Sequence, residues 1–134
     1  MRWLWFSFLL AFPLQAFAAG VSPLRLGLVI PTAGEATLVI SGAQIQFGTT
    51  PTACGAATTL NTDSIVVNGA SGSTERLVVD QSGGAFAPGA TAEGSGVAEI
   101  EMAFNLGDTA DQVVIVGGAG NDTLAAGANG LGMN

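Results

Sequence analysis

The sequence lacks histidine, tyrosine and lysine altogether, and only 10% of its 134 residues are charged. Without histidine there is no general base for a Ser-His-Asp or Cys-His nucleophile, and no imidazole ligand for zinc. Without lysine there is neither a Schiff-base amine nor the lysine of a Walker-type phosphate loop. These absences exclude most familiar enzyme classes, so we predict that the protein is not an enzyme.

Residues 1–18 have the pattern of a secretory signal peptide. Arg2 gives a positive amino-terminal region, an apolar run follows over residues 3–14, and Ala16 and Ala18 place small residues at the −3 and −1 positions. The alternative is an uncleaved membrane anchor, but a helix needs roughly 18 or more apolar residues to cross a bilayer. We predict cleavage after Ala18 and a secreted protein, extracellular or periplasmic, with no membrane span after the signal.

The chain that remains after cleavage is acidic. Residues 19–134 keep two arginines, Arg25 and Arg76, against ten acidic residues, which gives a formal charge of −8. So few bases cannot neutralise the phosphates of a nucleic acid or of an anionic lipid surface. Carboxylates, amides and main-chain carbonyls are hard oxygen ligands of the kind that calcium prefers. We therefore expect a calcium ion as the partner, and no nucleic acid.

Cys54 is the only cysteine in the sequence. An odd cysteine in an exported chain indicates a free thiol, an intermolecular disulfide or a partner outside this sequence. Because no histidine is available to activate the thiol, we do not expect a catalytic role.

Short apolar runs rich in valine and isoleucine predict an all-β fold. Glycine, serine, threonine, asparagine and aspartate separate these runs, which is typical of β-strands bounded by turns. Ser82 to Gly96 contains Gly83-Gly84 and Pro88, and it is predicted to be a loop. The predicted strands are 26–30, 36–41, 44–47, 64–67, 76–79, 98–106 and 112–116.

The region 117–125 carries the sharpest motif. It reads Gly-Gly-Ala-Gly-Asn-Asp-Thr-Leu-Ala and fits the nonapeptide G-G-x-G-x-D-x-U-x, in which U is a large apolar residue. The glycines allow a tight turn that exposes carbonyl oxygens, the aspartate supplies a hard carboxylate, and the apolar residue packs inward. The candidate metal ligands are Gly117, Gly118, Gly120, Asn121 and Asp122.

An earlier segment repeats the order of acid, apolar strand and glycine turn. Residues 63–69 align with residues 111–117, and the match continues over 70–72 and 118–120. A unit that recurs in this way is typical of solenoid folds.

With this motif the sequence resembles the haemolysin-type (RTX) calcium-binding repeat family, as a secreted bacterial relative. The resemblance covers roughly residues 36–134 and includes 53–57, 82–90, 99–107 and 127–130. It implies an all-β parallel β-roll or β-helix-like solenoid that binds Ca²⁺ between glycine turns. We predict three segments: the signal at 1–18, an N-terminal β segment at 19–58, and a β-roll-like repeat region at 59–134 with one intact nonapeptide at 117–125.

Two positions depart from the family pattern. In the earlier copy, Thr74, with Glu75 beside it, occupies the position of the motif's aspartate. In the nonapeptide that follows residue 125, Leu131 occupies that position. In the family a calcium ion lies between loops of neighbouring turns, so one intact loop supplies half a site. Two alternatives stay open: Asp122 caps its own turn, or the chain is an adhesin-type surface module that has lost metal binding. We also expect a truncated chain, because no closing strand precedes Asn134.

Other acids carry weaker hypotheses. Glu99 and Glu101 lie on one side of a predicted strand, roughly 7 Å apart at about 3.3 Å per residue, and a solvated face explains them better than a glycosidase pair. Asp108 and Asp111 precede the strand that leads into the nonapeptide. In the simpler interpretation these two aspartates form turns. In the alternative they add ligands to the calcium site.

Overall fold

The computed structural model describes residues 23–92, 94, 98–107, 110–127 and 130–133, and these residues form ten strands and no helix. The predicted signal peptide at 1–18 lies outside the described residues. The strands are β1 Leu24–Val29, β2 Glu35–Ser41, β3 Gln44–Gly48, β4 Thr52–Thr58, β5 Thr62–Asn68, β6 Arg76–Asp80, β7 Glu101–Asn105, β8 Gln112–Val116, β9 Leu124–Gly127 and β10 Gly130–Met133.

The strands form two five-stranded sheets, with the orders β1-β5-β7-β10-β9 (sheet A) and β4-β3-β2-β6-β8 (sheet B). In sheet A, β1, β5 and β7 are parallel, whereas β10 pairs antiparallel with both β7 and β9. In sheet B, β2, β6 and β8 are parallel, whereas β3 is antiparallel to both β2 and β4. The chain enters sheet B after each parallel strand of sheet A.

The prediction of a parallel β-roll or β-helix-like solenoid is wrong, because both sheets mix parallel and antiparallel strands and neither forms a closed or solenoid sheet. The physical reason is visible at Gly42, which adopts φ 63° in a two-residue turn. This turn reverses the chain, and the Ser41–Gln44 register makes β2 and β3 an antiparallel hairpin. The two aligned repeats, moreover, contain β5 in sheet A and β8 in sheet B, so they do not stack on each other.

The seven predicted strands nevertheless coincide with β1, β2, β3, β5, β6, β7 and β8. The predicted loop beginning at Ser82 contains no strand in its described part. The sequence prediction missed β4, β9 and β10, which are rich in alanine and glycine and lack a run of large apolar residues. The predicted boundary at residue 58 stays a prediction. Strands β1 and β2 before it pair with β5 and β6 after it.

Alternate residues of the strands form the hydrophobic core. In β2, for example, Ala36, Leu38 and Ile40 are buried, and in β6 Leu77 and Val79 are buried. This is the period of two that a sheet with one buried face requires. The buried apolar residues are Ile30, Ala36, Leu38, Ile40, Ile45, Ala57, Ile65, Val67, Leu77, Val79, Phe86, Ile100, Met102 and Leu106.

Three connections lead from sheet A to sheet B, at 30–34, 69–75 and 106–111, and they are called the corner loops here; residues 108 and 109 lie outside the described residues. Main-chain hydrogen bonds join them: Arg76 N donates to Gly34 O at 3.0 Å, and Gln112 N donates to Glu75 O at 2.9 Å. Beyond the other end of β6, the turn 81–84 closes through a 3.0 Å bond from Gly84 N to Gln81 O.

Gly83 is required where this turn packs on the end of β2. A Cβ atom at Gly83 would lie 2.1 Å from the carbonyl oxygen of Ile40, which is a main-chain atom that cannot swing aside. We expect Gly83→Ala to lower the free energy of unfolding by about 1–3 kcal/mol, as overpacking typically does. Urea denaturation followed by far-UV circular dichroism measures this loss.

The matched control is Gly27→Ala in β1, where a Cβ atom would meet nothing within 4 Å. This exposed substitution should change stability by less than about 0.5 kcal/mol. Equal losses in both variants would contradict the close packing assigned to Gly83.

Candidate functional site

A cleft of about 390 Å³ opens between the turn after β6 and the loop after β8. These two segments are neighbours because β6 and β8 are parallel and Asp80 is in register with Val116. Gln81 N continues the ladder with a 2.9 Å hydrogen bond to Val116 O. The cleft is lined by Gln81, Ser82, Gly83, Gly84, Ala85, Gly118, Ala119, Gly120, Asn121 and Asp122.

Four of the five residues predicted as metal ligands line this cleft. Gly118, Gly120, Asn121 and Asp122 form one wall, and Gly117 lies directly behind the Asp122 side chain. A Cβ atom at Gly117 would lie 2.3 Å from Asp122 Oδ2, so the glycine permits the carboxylate to fold back over its own turn. The structure thus brings the predicted residues together in one loop beside the cleft.

Asp122 caps its own loop. Its Oδ1 accepts the N–H of Gly118 at 2.9 Å, as the alternative interpretation of the motif expects. A carboxylate has about four lone-pair sites, and the side chain of Asp122 is exposed, so this single hydrogen bond leaves capacity for a cation. Capping and cation binding are therefore compatible at the same side chain.

The opposite wall begins at Gln81. Its carbonyl oxygen accepts the N–H of Gly84 and lies 3.5 Å from the position of a Cβ atom at Gly118, so the two walls come close together at this point. Asp80 shapes this wall, since its Oδ1 accepts the N–H of Ser82 at 2.8 Å. The described residues contain no group of three or more His, Cys, Asp or Glu side chains that could hold a metal ion.

Both described arginines are engaged elsewhere. Arg25 pairs with Asp63 at 3.6 Å, and Arg76 forms an ion pair with Glu35 at the start of the parallel β2. Arg76 is the first residue of β6, whereas the cleft follows its last residue. The negative charge of Asp122 therefore has no basic partner among the described ion pairs.

The other acids considered from the sequence are dispersed. Glu101 is exposed on β7, whereas Glu99 precedes that strand and is half-buried. Asp108 lies outside the described residues. Asp111 belongs to the corner loops, at the end of β8 opposite the cleft, where its Oδ1 accepts the N–H of Glu75 at 2.9 Å.

Sequence reasoning missed the burial of Glu75, which is only 1% exposed. Its Oε1 accepts the N–H of Ala33 at 3.1 Å, but its Oε2 is buried with no hydrogen-bond partner. In the sequence, Glu75 stands out only as the neighbour of Thr74, which occupies the position of the motif's aspartate. An acid between a polar turn and a strand is normally solvated, so no pattern predicts this burial.

Comparison with protein family models, with curated proteins and with solved structures gave no match for this chain. The resemblance to the RTX repeat family therefore stays a prediction that rests on its own residues. Among the described residues there is no helix with the length and apolar character needed to span a membrane.

Cys54 is a free, half-buried cysteine in β4 that packs against the core. Burial raises the pKa of its thiol above the ordinary value, because desolvation disfavours the thiolate. The thiolate is the reactive species, so this environment makes Cys54 less reactive at neutral pH.

We expect the folded protein to react with a disulfide reagent such as Ellman's reagent several-fold more slowly at pH 7 than the urea-unfolded chain does. The rate should rise as the pH increases through the raised pKa, because deprotonation is then no longer limiting. Absorbance-monitored kinetics at a series of pH values check this. Equal rates for folded and unfolded chains at pH 7 would contradict the assignment.

Proposed function

We propose that this is an exported, non-enzymatic protein that binds calcium weakly in the cleft between the turn 81–85 and the loop 118–122. One observation carries the proposal: the loop that the sequence motif predicts to bind calcium lines the cleft that the structure contains. The nonapeptide predicted as a calcium loop forms one wall of the cleft, and that loop follows a strand parallel to its neighbour.

The donors suit a hard cation of modest affinity. One carboxylate, Asp122, lines the cleft, together with the amide of Asn121 and main-chain carbonyls. Calcium accepts six to eight such oxygens, including water, in flexible geometry. Because only one charged ligand is available, we expect a dissociation constant of about 10⁻⁴–10⁻³ M, the range of extracellular calcium modules.

Calcium would order the loop and offset repulsion in an acidic chain. The exported environment follows from the predicted signal at residues 1–18 and matches a site that works at millimolar calcium. With a dissociation constant of about 0.5 mM, 5 mM calcium would stabilise the folded state by about 1.4 kcal/mol. The function would then be structural: the protein would be a surface or secreted β domain in which calcium from the medium orders the loop 118–122.

We expect Asp122→Asn to weaken calcium binding at the cleft at least about tenfold, because it removes the only carboxylate there. The amide oxygen can still accept the N–H of Gly118, so the loop keeps its cap. Isothermal titration calorimetry with CaCl₂, and with MgCl₂ for comparison, measures the effect.

Glu101→Gln is the matched control, since it removes one negative charge from an exposed position on β7 away from the cleft. It should leave the affinity of the cleft within about twofold. Equal weakening in both variants would show that general charge, and not the cleft, attracts calcium. An unchanged affinity in Asp122→Asn would refute the proposed site.

One observation favours a second candidate, the adhesin-type interaction module. β8 forms one edge of sheet B as described, and Val113 and Val116 on it are each 40% exposed. Leu124, farther along the chain, is 55% exposed. An apolar edge strand without charged residues is suited to pairing with a strand of another chain.

If this edge pairs with a second copy of the chain, the protein should dimerise at concentrations of tens of micromolar and Val113→Lys should keep it monomeric. Sedimentation velocity with and without calcium measures the association. Leu60→Lys is the control, because Leu60 is exposed in a turn and lies on no strand edge. A monomeric wild-type chain would refute self-pairing through β8.

A further inference from the structure

The three parallel strands of sheet B carry apolar residues on both of their faces. The apolar runs are 38–40 in β2, 77–79 in β6 and 113–116 in β8. Parallel strands with such continuous runs are typical of sheets that are covered on both faces. In the described chain, the core covers only the face that contains Leu77 and Val79. The opposite face of sheet B, called the outer face here, is therefore apolar without a cover.

The strand register arranges the side chains of the outer face in rows. Alternate residues point away from the core, and the parallel pairing of β2, β6 and β8 aligns them across the sheet. Four valines and the methyl group of a threonine thus surround a single acid, and all of these residues are half-buried except Val116, which is 40% exposed. The two rows are Thr37, Val78 and Val114, and beside them Val39, Asp80 and Val116.

The matching face of sheet A is mostly polar. Its central row contains Gly27, Val66 and Ala103, but polar or charged residues predominate in the rows on either side. A sheet face in contact with water normally has this character. The contrast indicates that the outer face of sheet B is in contact with another surface. The flanking rows of sheet A are Arg25, Ser64 and Glu101, and Val29, Asn68 and Asn105.

The charges on the outer face have a direction along β6. Arg76 is the first residue of this strand and Asp80 is its last, and Val78 lies between them on the same face. A second copy that packs on the outer face with antiparallel strands therefore places its own Asp80 opposite Arg76 and its own Arg76 opposite Asp80. Parallel packing would oppose like charges, which is costly. The outer face is thus complementary to itself in the antiparallel orientation.

Both charged groups have capacity for such a contact. Arg76 pairs with Glu35, but a guanidinium carries several donors and can bind a second carboxylate. The Oδ1 atom of Asp80 accepts the N–H of Ser82 at 2.8 Å. A carboxylate has about four lone-pair sites, so this bond leaves Asp80 able to accept from an arginine.

The size of sheet B sets the strength that is expected of this contact. Its five strands, spaced about 4.8 Å apart and about 20 Å long, present roughly 500 Å² on the outer face. A standard interface buries about 800 Å² on each partner, so we expect a weak dimer with a dissociation constant on the order of 10⁻⁴ M.

We propose that the outer face of sheet B is a self-association surface, on which a second copy of the chain packs face to face with antiparallel strands. The valines of the two copies interdigitate as in a β-sandwich, and two Arg76–Asp80 pairs flank them. This surface is distinct from the edge of β8, because it uses side chains that point out of the sheet and not the main-chain groups of an edge strand.

The first test replaces an apolar residue at the centre of the outer face. We expect Val78→Lys to weaken self-association at least about tenfold, because two lysines would be buried against each other in the dimer. Val66→Lys is the matched control, since Val66 occupies the central row on the polar face of sheet A. It should stay within about twofold of the wild-type chain. Sedimentation velocity over a concentration series in EDTA measures association, and circular dichroism checks folding.

A mixing experiment tests the orientation of the two copies. Arg76→Glu alone and Asp80→Arg alone should each weaken self-association at least about tenfold, because each homodimer then opposes like charges twice. An equimolar mixture of these two variants should associate about as strongly as the wild-type chain, because every opposed pair again has opposite signs. Arg25→Glu, the matched charge reversal on sheet A, should leave association unchanged.

The outer face is refuted as a self-association surface if the wild-type chain stays monomeric up to millimolar concentration. Equal association of Val78→Lys and Val66→Lys refutes it as well. Loss of association in Val113→Lys but not in Val78→Lys would assign the contact to the edge of β8 instead. A mixture that associates no better than its separate variants contradicts the antiparallel packing. If Val78→Lys does not fold, the mixture decides, because neither of its variants changes an apolar residue.

Discussion

The structure depends on one apolar layer shared by the two sheets. Alternate side chains of β2, β5, β6 and β7 meet there, with Leu38, Ile65, Leu77 and Met102 almost fully buried. Because each strand gives only alternate residues to the core, a shift of one residue would expose all of them, which fixes the strand register. The fixed register in turn places every connection at one end or the other of the strands, so the cleft beyond the ends of β6 and β8 is a consequence of the core.

Glu75 and the cleft lie at opposite ends of β6. Glu75 directly precedes this strand and Gln81 directly follows it, so six residue steps at about 3.3 Å each separate the two residues by roughly 20 Å. The cleft therefore lies well away from the buried carboxylate of Glu75.

The strands could be predicted from the sequence, but their partners could not. Valine and isoleucine runs bounded by turn residues located seven strands, because such residues fit a pleated, half-buried surface. The antiparallel hairpin of β2 and β3 depends on the positive φ of Gly42. Strand β4 consists largely of small residues, and its place in the sheet depends on pairing with β3. Asp122, which the nonapeptide indicated as a ligand, lies on a loop that lines the cleft. The burial of Glu75 could not be predicted, since it arises only when three loops distant in sequence come together.

Acids shape the turns of this protein, and that use concentrates negative charge at the strand ends. Asp80, Asp111 and Asp122 each accept a main-chain N–H with one carboxylate oxygen, which fixes a turn or joins two loops. The hydrogen bond uses part of each carboxylate and does not neutralise it. Arg25 and Arg76 pair with Asp63 and Glu35 and not with the exposed Asp122. The remaining lone pairs of Asp122 are therefore left to water or to a cation that enters the cleft, which is what the proposed calcium site requires.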